Sequence, residues 1–257
     1  MRKFAKIRTS NFTAKPLRHA ILADKRAIVR LGSLTPTSKA FPTTRDVVEI
    51  NTVEAIQNSR DKLRMKECFS KLKVPQAEWW SSYQALAQDK KIPYPIVVKR
   101  ICGFQGHGME LINDTTELQT WFTKHGNAEG WYFERFYNYA REYRLHVARE
   151  VGVFMQWRKL RTAEAKERWF FNSANSNWVG EDHKLFDKPK CWKAMEKAAI
   201  DCITSTGLDI GACDIRVQSA KEDSPKFIVC EINSAPALGE YGIEKYKEVI
   251  KQLIDKK

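Results

Sequence analysis

The 257-residue chain contains no apolar run approaching the 18 or more residues that a membrane-crossing helix requires. Its six cysteines (68, 102, 191, 202, 213 and 230) form no Cys-x-x-Cys pair and have no histidine at metal spacing. That pattern excludes a zinc knuckle and a disulfide framework, and implies buried thiols in a reducing, cytoplasmic compartment. Acidic residues are scarce at the start. Residues 1–45 hold eleven Lys or Arg against one acid, Asp24, so +10 of the formal +13 lies there and +3 in the remainder. Such a segment fits a solvated basic face or a patch for a polyanion, either nucleic acid or an acidic peptide. It also has the composition of a transit peptide, although "AIVRLGSLTP" directly downstream reads as strand and turn.

A hydrophobic content of 43% with 29% charged residues describes an ordinary globular chain, long enough for one large domain or two small ones. "HAILADKRAIVRLGSLTP" reads as one or two short strands closed by Gly and Pro. Residues 59–72, "SRDKLRMKECFSKL", read as a helix capped by Ser59 or Asn58. "PIVVKRICGFQGHGMELIN" is a strand, a glycine-rich tip and a second strand. "TTELQTWFTKHG" follows as a helix with a Thr cap and a terminal Gly. "GWYFERFY", "REYRLHVAREVGVFMQWRKLR" and "FIVCEIN" alternate as antiparallel strands, with "EVG" as a hairpin turn. Residues 189–206 put Trp192, Met195, Ala199, Cys202 and Ile203 on one helical face, and 242–255 repeat that pattern. The sum is an α+β protein whose C-terminal part has helices covering one side of an antiparallel sheet.

Glu231 and Asn233 end the run "FIVCEIN", and in a strand residues i and i+2 share a face. Asp214 and Arg216 share a face in the same way at the end of "GLDIGACDIRV". If these strands pair, three oxygen ligands and a guanidinium converge, a donor set suited to Mg²⁺ rather than zinc. In "KRICGFQGHG", Gly103, Gly106 and Gly108 allow close backbone approach and present N–H groups to an anion, with Lys99 just before them. Read alone, that tip is a plain turn; read with the acid–amide pair, it is part of a nucleotide site. His107 inside it is a phosphate neighbour at most. The tryptophans read as packing, with Trp157 and the "WFF" at 169–171 as alternative walls of an acceptor groove.

The order of these motifs resembles the ATP-grasp superfamily, especially the branch of the ribosomal-protein glutamate ligase, glutathione synthetase and D-alanine–D-alanine ligase. "RDKLRMK" resembles that branch's first Asp-Lys helix, and "PIVVKRICGFQGHGMEL" its strand, second lysine and glycine loop. "YFERFYNYAREYRLHV" resembles the adenine hinge, and "GLDIGACDIRV" with "VCEINSAPAL" the two metal strands. The resemblance covers residues 58–245. It implies an α+β ATP-grasp fold, two subdomains clasping ATP: a short basic segment at 1–58, a small subdomain at 59–130 with the glycine loop, and a C-terminal subdomain at 131–257. Lys62, Lys99, Gly103, Gly106, Gly108, Glu134 and Glu142 would then bind ATP, Glu134 opening the hinge and Glu142 contacting ribose. Asp214, Glu231 and Asn233 would hold Mg²⁺, two ions in all. Arg144, Arg158 and Arg216 would hold the substrate carboxylate or the tetrahedral intermediate.

The implied activity is an ATP-dependent carboxylate–amine ligase, making an amide through an acyl phosphate from an amino acid or peptide carboxylate and an amine. The alternatives are an ATP-grasp kinase acting on a hydroxyl, and a basic nucleic-acid-binding protein with a vestigial ATP site. A further version has the basic segment recruit an acidic macromolecule as substrate. Two features depart from the family: the first segment is short, and "RWFFNSANSNWVGED" replaces the usual Asn- and Gly-containing loop, leaving Asn172 or Asn175 to approach the phosphates.

Overall fold

A computed structural model of the chain describes residues 3–103, 108–126, 128–163, 165, 169–172 and 175–257. The first part contains β1 (Lys3–Phe4), β2 (Lys6–Thr9), β3 (Leu22–Ala23), β4 (Arg26–Leu31) and β5 (Val47–Ile50), with a 3-10 turn over Phe12–Leu17 and the short helix α1 (Thr37–Ala40). β2, β4 and β5 pair in parallel in that order. β4 is buried from Ala27 to Leu31, as a central parallel strand must be. Of its two arginines, Arg26 opens the strand half-buried, whereas Arg30 is fully buried and donates to Glu49 Oε2 at 2.9 Å and Thr37 Oγ1 at 2.7 Å. At least one of the eleven basic residues is therefore structural rather than part of a surface patch.

The next elements are α2 (Val53–Arg60), α3 (Lys62–Lys71), β6 (Trp79–Trp80), α4 (Tyr83–Ala87), β7 (Ile96–Arg100), β8 (Glu110–Ile112), α5 (Thr115–His125) and β9 (Trp131–Arg135). The single helix expected over 59–72 is two helices. Asp61 adopts extended backbone between them, and its carboxylate accepts from Leu63 N at 2.9 Å and Arg64 N at 3.1 Å. That cap, rather than Ser59 or Asn58, fixes the start of α3. Asp114 likewise takes the capping place expected of a Thr on α5. The β7–β8 hairpin forms as expected, within an antiparallel sheet of order β6-β9-β7-β8. β9, at the start of the segment 131–257, pairs with β7 of this small sheet.

The remaining elements are β10 (Arg141–Ala148), β11 (Gly152–Arg161), β12 (Ser176–Gly180), α6 (Trp192–Thr206), β13 (Ile210–Val217), β14 (Phe227–Asn233) and α7 (Glu240–Lys256). The strands form one antiparallel sheet of order β12-β11-β10-β13-β14. One face presents Tyr143, Leu145, Val147, Cys213, Ile215 and Val229 to α6 and α3, where Met195, Ala199, Cys202, Met65 and Phe69 meet them. At ~1.5–3 kcal/mol for each large side chain buried, this layer is the main stabilising contact of the C-terminal part. The opposite face is apolar only at one end, where Ala148, Met155 and Ile210 pack on α7 and the N-terminal sheet.

Asn51 clips the N-terminal sheet to that end. Its backbone N donates to Asp209 Oδ2 at 2.7 Å, its Oδ1 accepts from Asp209 N and Ile210 N, and its Nδ2 donates to Arg30 O and Ile210 O. Its φ of +57° is a left-handed conformation that Asn tolerates better than most residues. Among the described residues, no helix is long and apolar enough to cross a membrane.

Candidate active site

Beyond the apolar end, the same sheet face carries charge in two rows set by strand register. The first row runs Trp157, Arg144, Asp214, Glu231 across β11, β10, β13 and β14. The second runs Trp178, Lys159, Glu142, Arg216 across β12, β11, β10 and β13. Directly opposed side chains in adjacent strands touch, so register alone sets these pairs.

A β-bulge makes the first row possible. Asp214 opposes Glu231, but Ile215 opposes Val229, leaving Cys230 as the extra residue. Without it, strict alternation would put Phe227 and Val229 on the face of Glu231. With it, those two join the helix-side core while Cys230, Glu231 and Asn233 face the other way. Burial pushes the Cys230 thiol up to about 12, so it is an inert lining rather than a nucleophile.

The acids are neutralised from two directions. Arg144 grips Asp214 with both ends, Nε to Oδ1 at 2.6 Å and Nη2 to Oδ2 at 2.7 Å, while its guanidinium lies 4.5 Å from the Trp178 ring centre. Lys62, the first residue of α3, sets its ammonium 2.5 Å from Glu231 Oε2. Asn233 Nδ2 donates to Glu231 Oε1 at 3.0 Å and lies 3.5 Å from Asp214 Oδ2. Lys62, against the cost of burial, holds the Glu231 carboxyl far below the usual carboxylate range, helped by Asn233 and Arg144. Burial disfavours charge on Lys62, but Glu231 outweighs it and keeps the ammonium above its ordinary pKa.

One helical turn further, Lys66 reaches the other sheet. Lys66 Nζ is 2.6 Å from Glu134 Oε1, and Lys99 from β7 pairs with Glu134 Oε2. Burial opposes the charged form of Glu134, yet Lys66 and then Lys99 hold it at about 2. Lys62 N also donates to Ile101 O at 3.2 Å, tying the start of α3 to the start of the glycine loop. In the second row, Lys159 Nζ meets Glu142 Oε1 at 2.5 Å and its ammonium sits 4.6 Å from the Trp178 ring centre. Burial pushes the Glu142 carboxyl up despite Lys159, and Glu142 in turn raises Lys159 against its own burial.

Lys62, Lys99, Glu134, Glu142, Arg144, Asp214, Arg216, Glu231 and Asn233 are thus brought onto or beside one face. Gly103 and Gly108 flank the loop; Gly108 has φ +72°, and a Cβ there would come within 3.2 Å of Arg100 Cγ. Gly106 and His107 lie outside the described residues. Arg158 is not brought in. Opposite Tyr143, it points to the helix side, where its Nη1 donates to Asp187 Oδ1 at 2.5 Å and Leu185 O at 2.6 Å. Its neighbour Lys159 takes the site face, because alternate strand residues face opposite ways. Asn172 and Asn175 each accept the other's backbone N–H through Oδ1, at 3.0 and 2.9 Å, closing a turn. Lys66 and Lys159 escape the sequence reading, although Lys66 lies four residues after Lys62, on the same helical face.

A cleft of about 40 Å³ separates the two sheets beside Glu134, lined by Lys66, Ala77, Val97, Lys99, residues 134–137, Arg216 and residues 228–230. Its roof is the small sheet and its floor the large one. A larger concavity of about 510 Å³, between α2, α3 and the end of α6, contains none of the residues above.

No family model matches the chain. Among solved structures, N5-carboxyaminoimidazole synthetase from Staphylococcus aureus complexed with ADP is similar with a TM-score of 0.64, over 89% of this chain and 60% of that one, at 17% identity. D-alanine–D-alanine ligase from Bacillus anthracis complexed with ATP is similar with a TM-score of 0.61, over 89% and 76%, at 14% identity. The chain has the ATP-grasp fold. Biotin carboxylase from Campylobacter jejuni, in a β,γ-ATP complex, shares it with a TM-score of 0.60 over 89% of this chain and 53% of that one, at 16% identity. The ATP-grasp similarity expected from the motif order is therefore present in the backbone, as is the α+β class.

Proposed function

We propose that the chain is an ATP-dependent carboxylate–amine ligase that forms a peptide-like amide through an acyl phosphate. The observation that carries this reading is the row Arg144–Asp214–Glu231, with Asn233 beside it and Lys62 facing it, one residue along β14 from the Cys230 that lines the cleft. Similar folds that hold ATP or ADP support nucleotide binding at such a cleft. Two carboxylates and an amide oxygen, without His or Cys, are the hard oxygen donors that Mg²⁺ prefers. Asp214, Glu231 and Asn233 would hold two Mg²⁺ ions, which when bound supply charge neutralisation at the ATP phosphates.

Lys62 pairs with Glu231 and Arg144 with Asp214 in the free chain, before substrate arrives. Lys62 exchanges Glu231 for phosphate oxygens when nucleotide enters, and Lys99 does the same from Glu134. Arg144 keeps Asp214 aimed, and is thereby a positioning residue that would also hold the substrate carboxylate. Gly103 and Gly108 let the backbone approach the phosphates closely, at a site that must keep an acyl phosphate from water. A carboxylate oxygen attacks the γ-phosphorus, and the bond to ADP breaks with the electron pair leaving on ADP. The amine then attacks the acyl carbon, the C–O bond to phosphate breaks, and the amine proton passes to solvent.

The test is ADP release with Mg²⁺ and ATP across amino acids and short acidic peptides, with hydroxylamine as acceptor. Acidic peptides come first because residues 1–45 carry +10. ADP together with a hydroxamate, both lost in Glu231→Gln, is the expected result. ADP with a phosphorylated hydroxyl and no hydroxamate would make the chain a kinase instead.

A further inference from the structure

Away from Lys62, the row Glu231–Asp214–Arg144 runs on into aromatic side chains. Trp157 opposes Arg144 on β11, and Gly180 opposes Trp157 on β12. A Cβ on Gly180 would come within 3.1 Å of Trp157 Cζ3, so the glycine makes room for the indole to lie against β12. Trp157 also meets Tyr241, in the first turn of α7, with ring centres 6.5 Å apart and the rings nearly perpendicular. Trp178, two residues before Gly180 on the same strand, lies beside Arg144. Tyr241 is 58% exposed and Trp178 38%. Large rings left in water beside a charged row remove little apolar area there, and exposed aromatic clusters are what binding surfaces present. The alternative wall at 169–171 lies elsewhere: Trp169 packs against Phe136, and the guanidinium groups of Arg161 and Arg216 lie near the Phe171 ring.

The neighbouring charges narrow what this corner accepts. Arg144 and Lys159 both lie within 4.6 Å of the Trp178 ring centre, and Lys245 lies 5.8 Å from that of Tyr241. The nearest acids, Asp214 and Glu142, are already gripped by Arg144 and Lys159. A cationic side chain would meet like charge here, whereas a neutral ring finds the faces and edges of three aromatic side chains. We propose that Trp157, Trp178 and Tyr241 are specificity-determining residues, selecting a carboxylate substrate that carries a neutral aromatic side chain. The assignment rests on the ligase reading above, in which Arg144 holds the substrate carboxylate. It narrows that reading from carboxylates in general to the carboxyl group of an aromatic amino-acid residue.

The experiment measures hydroxamate formation, with Mg²⁺, ATP and hydroxylamine, from N-acetylphenylalanine, N-acetyltryptophan, N-acetylalanine and Nα-acetyllysine. The unaltered chain, Trp157→Ala, Trp157→Phe and Tyr241→Ala are compared. In the unaltered chain the KM for the aromatic acids is expected to be roughly tenfold or more below that for N-acetylalanine, with Nα-acetyllysine the poorest. Trp157→Ala and Tyr241→Ala are expected to remove that KM ratio, and Trp157→Phe to keep most of it. A merely structural role would alter kcat and the KM for ATP while leaving the ratio in place, overturning the assignment. If Trp157→Ala does not fold, the exposed Tyr241 and the acid profile of the unaltered chain carry the test. Hydroxamate formed without regard to the side chain, or best from Nα-acetyllysine, overturns aromatic selection alone. No hydroxamate from any carboxylate, acidic peptides included, overturns the ligase reading and this assignment with it.

Discussion

The two faces of the five-stranded sheet use the same strands and the same register for opposite ends. Leu145 and Ile215 face α6 and are wholly buried among apolar side chains. Their strand neighbours Arg144 and Asp214 face the other way into a lattice of paired charges. The helix side stabilises the fold by removing apolar area from water. The charged side does not: burying ions costs several kcal/mol each, which pairing offsets only when geometry is good. Under the proposed function the charged face serves binding rather than stability, and the two faces are expected to respond to mutation in different ways.

The largest effect is expected at Glu231. Glu231→Gln removes the charge that Lys62 faces and is expected to lower ADP formation by two orders of magnitude or more, on the order of the loss from deleting one transition-state stabiliser. Thermal unfolding, read by calorimetry, should also come earlier, because Lys62 loses its counter-charge, but turnover falls far more than stability. Leu145→Ala should do the reverse, with about 2–5 kcal/mol lost to a core cavity in denaturant unfolding and turnover retained in the folded fraction.

Acid unfolding sharpens the contrast. Glu134 is held at about 2 against an ordinary 4.5, so the unfolded chain takes up its proton first. Its contribution, on the order of 3 kcal/mol, is complete above pH 4.5 and is lost as pH falls from there towards 2. Glu231 acts in the same sense. Glu142, raised by burial, acts in the opposite sense and subtracts stability as pH rises above 4.5. Stability measured against pH should therefore show an acid limb that Glu134→Gln flattens. The smallest change is expected from replacing the Lys159–Glu142 pair with Met and Leu, which should be neutral or stabilising by about 1–4 kcal/mol while weakening ATP binding.

Much of this contrast is legible in the sequence. The shared face of Glu231 and Asn233 and the apolar stripe of α6 follow from periodicity, and the order of the five motifs carries the resemblance to the ATP-grasp superfamily. What escapes reading depends on partners distant in sequence. The bulge at Cys230 exists because β14 must satisfy a core on one face and acids on the other, which no local pattern encodes. Arg158 and Lys159 differ only in strand parity, and parity is set by pairing with Glu142 and Tyr143. β6 is two residues long and is a strand only because β9 supplies its partner. Asp61 divides the expected helix because its carboxylate caps the following turn. Lys66 reads as a solvated charge until β9 places Glu134 over it.

The measurement that bears most directly on the account is the Mg²⁺ dependence of ATP binding, followed calorimetrically for the unaltered chain and Glu231→Gln. The account predicts that Mg²⁺ tightens ATP binding in the unaltered chain and that this gain disappears in Glu231→Gln, with ATP still bound weakly through Lys99 and the cleft. ATP binding that ignores Mg²⁺, or a Mg²⁺ gain that survives in Glu231→Gln, would contradict it.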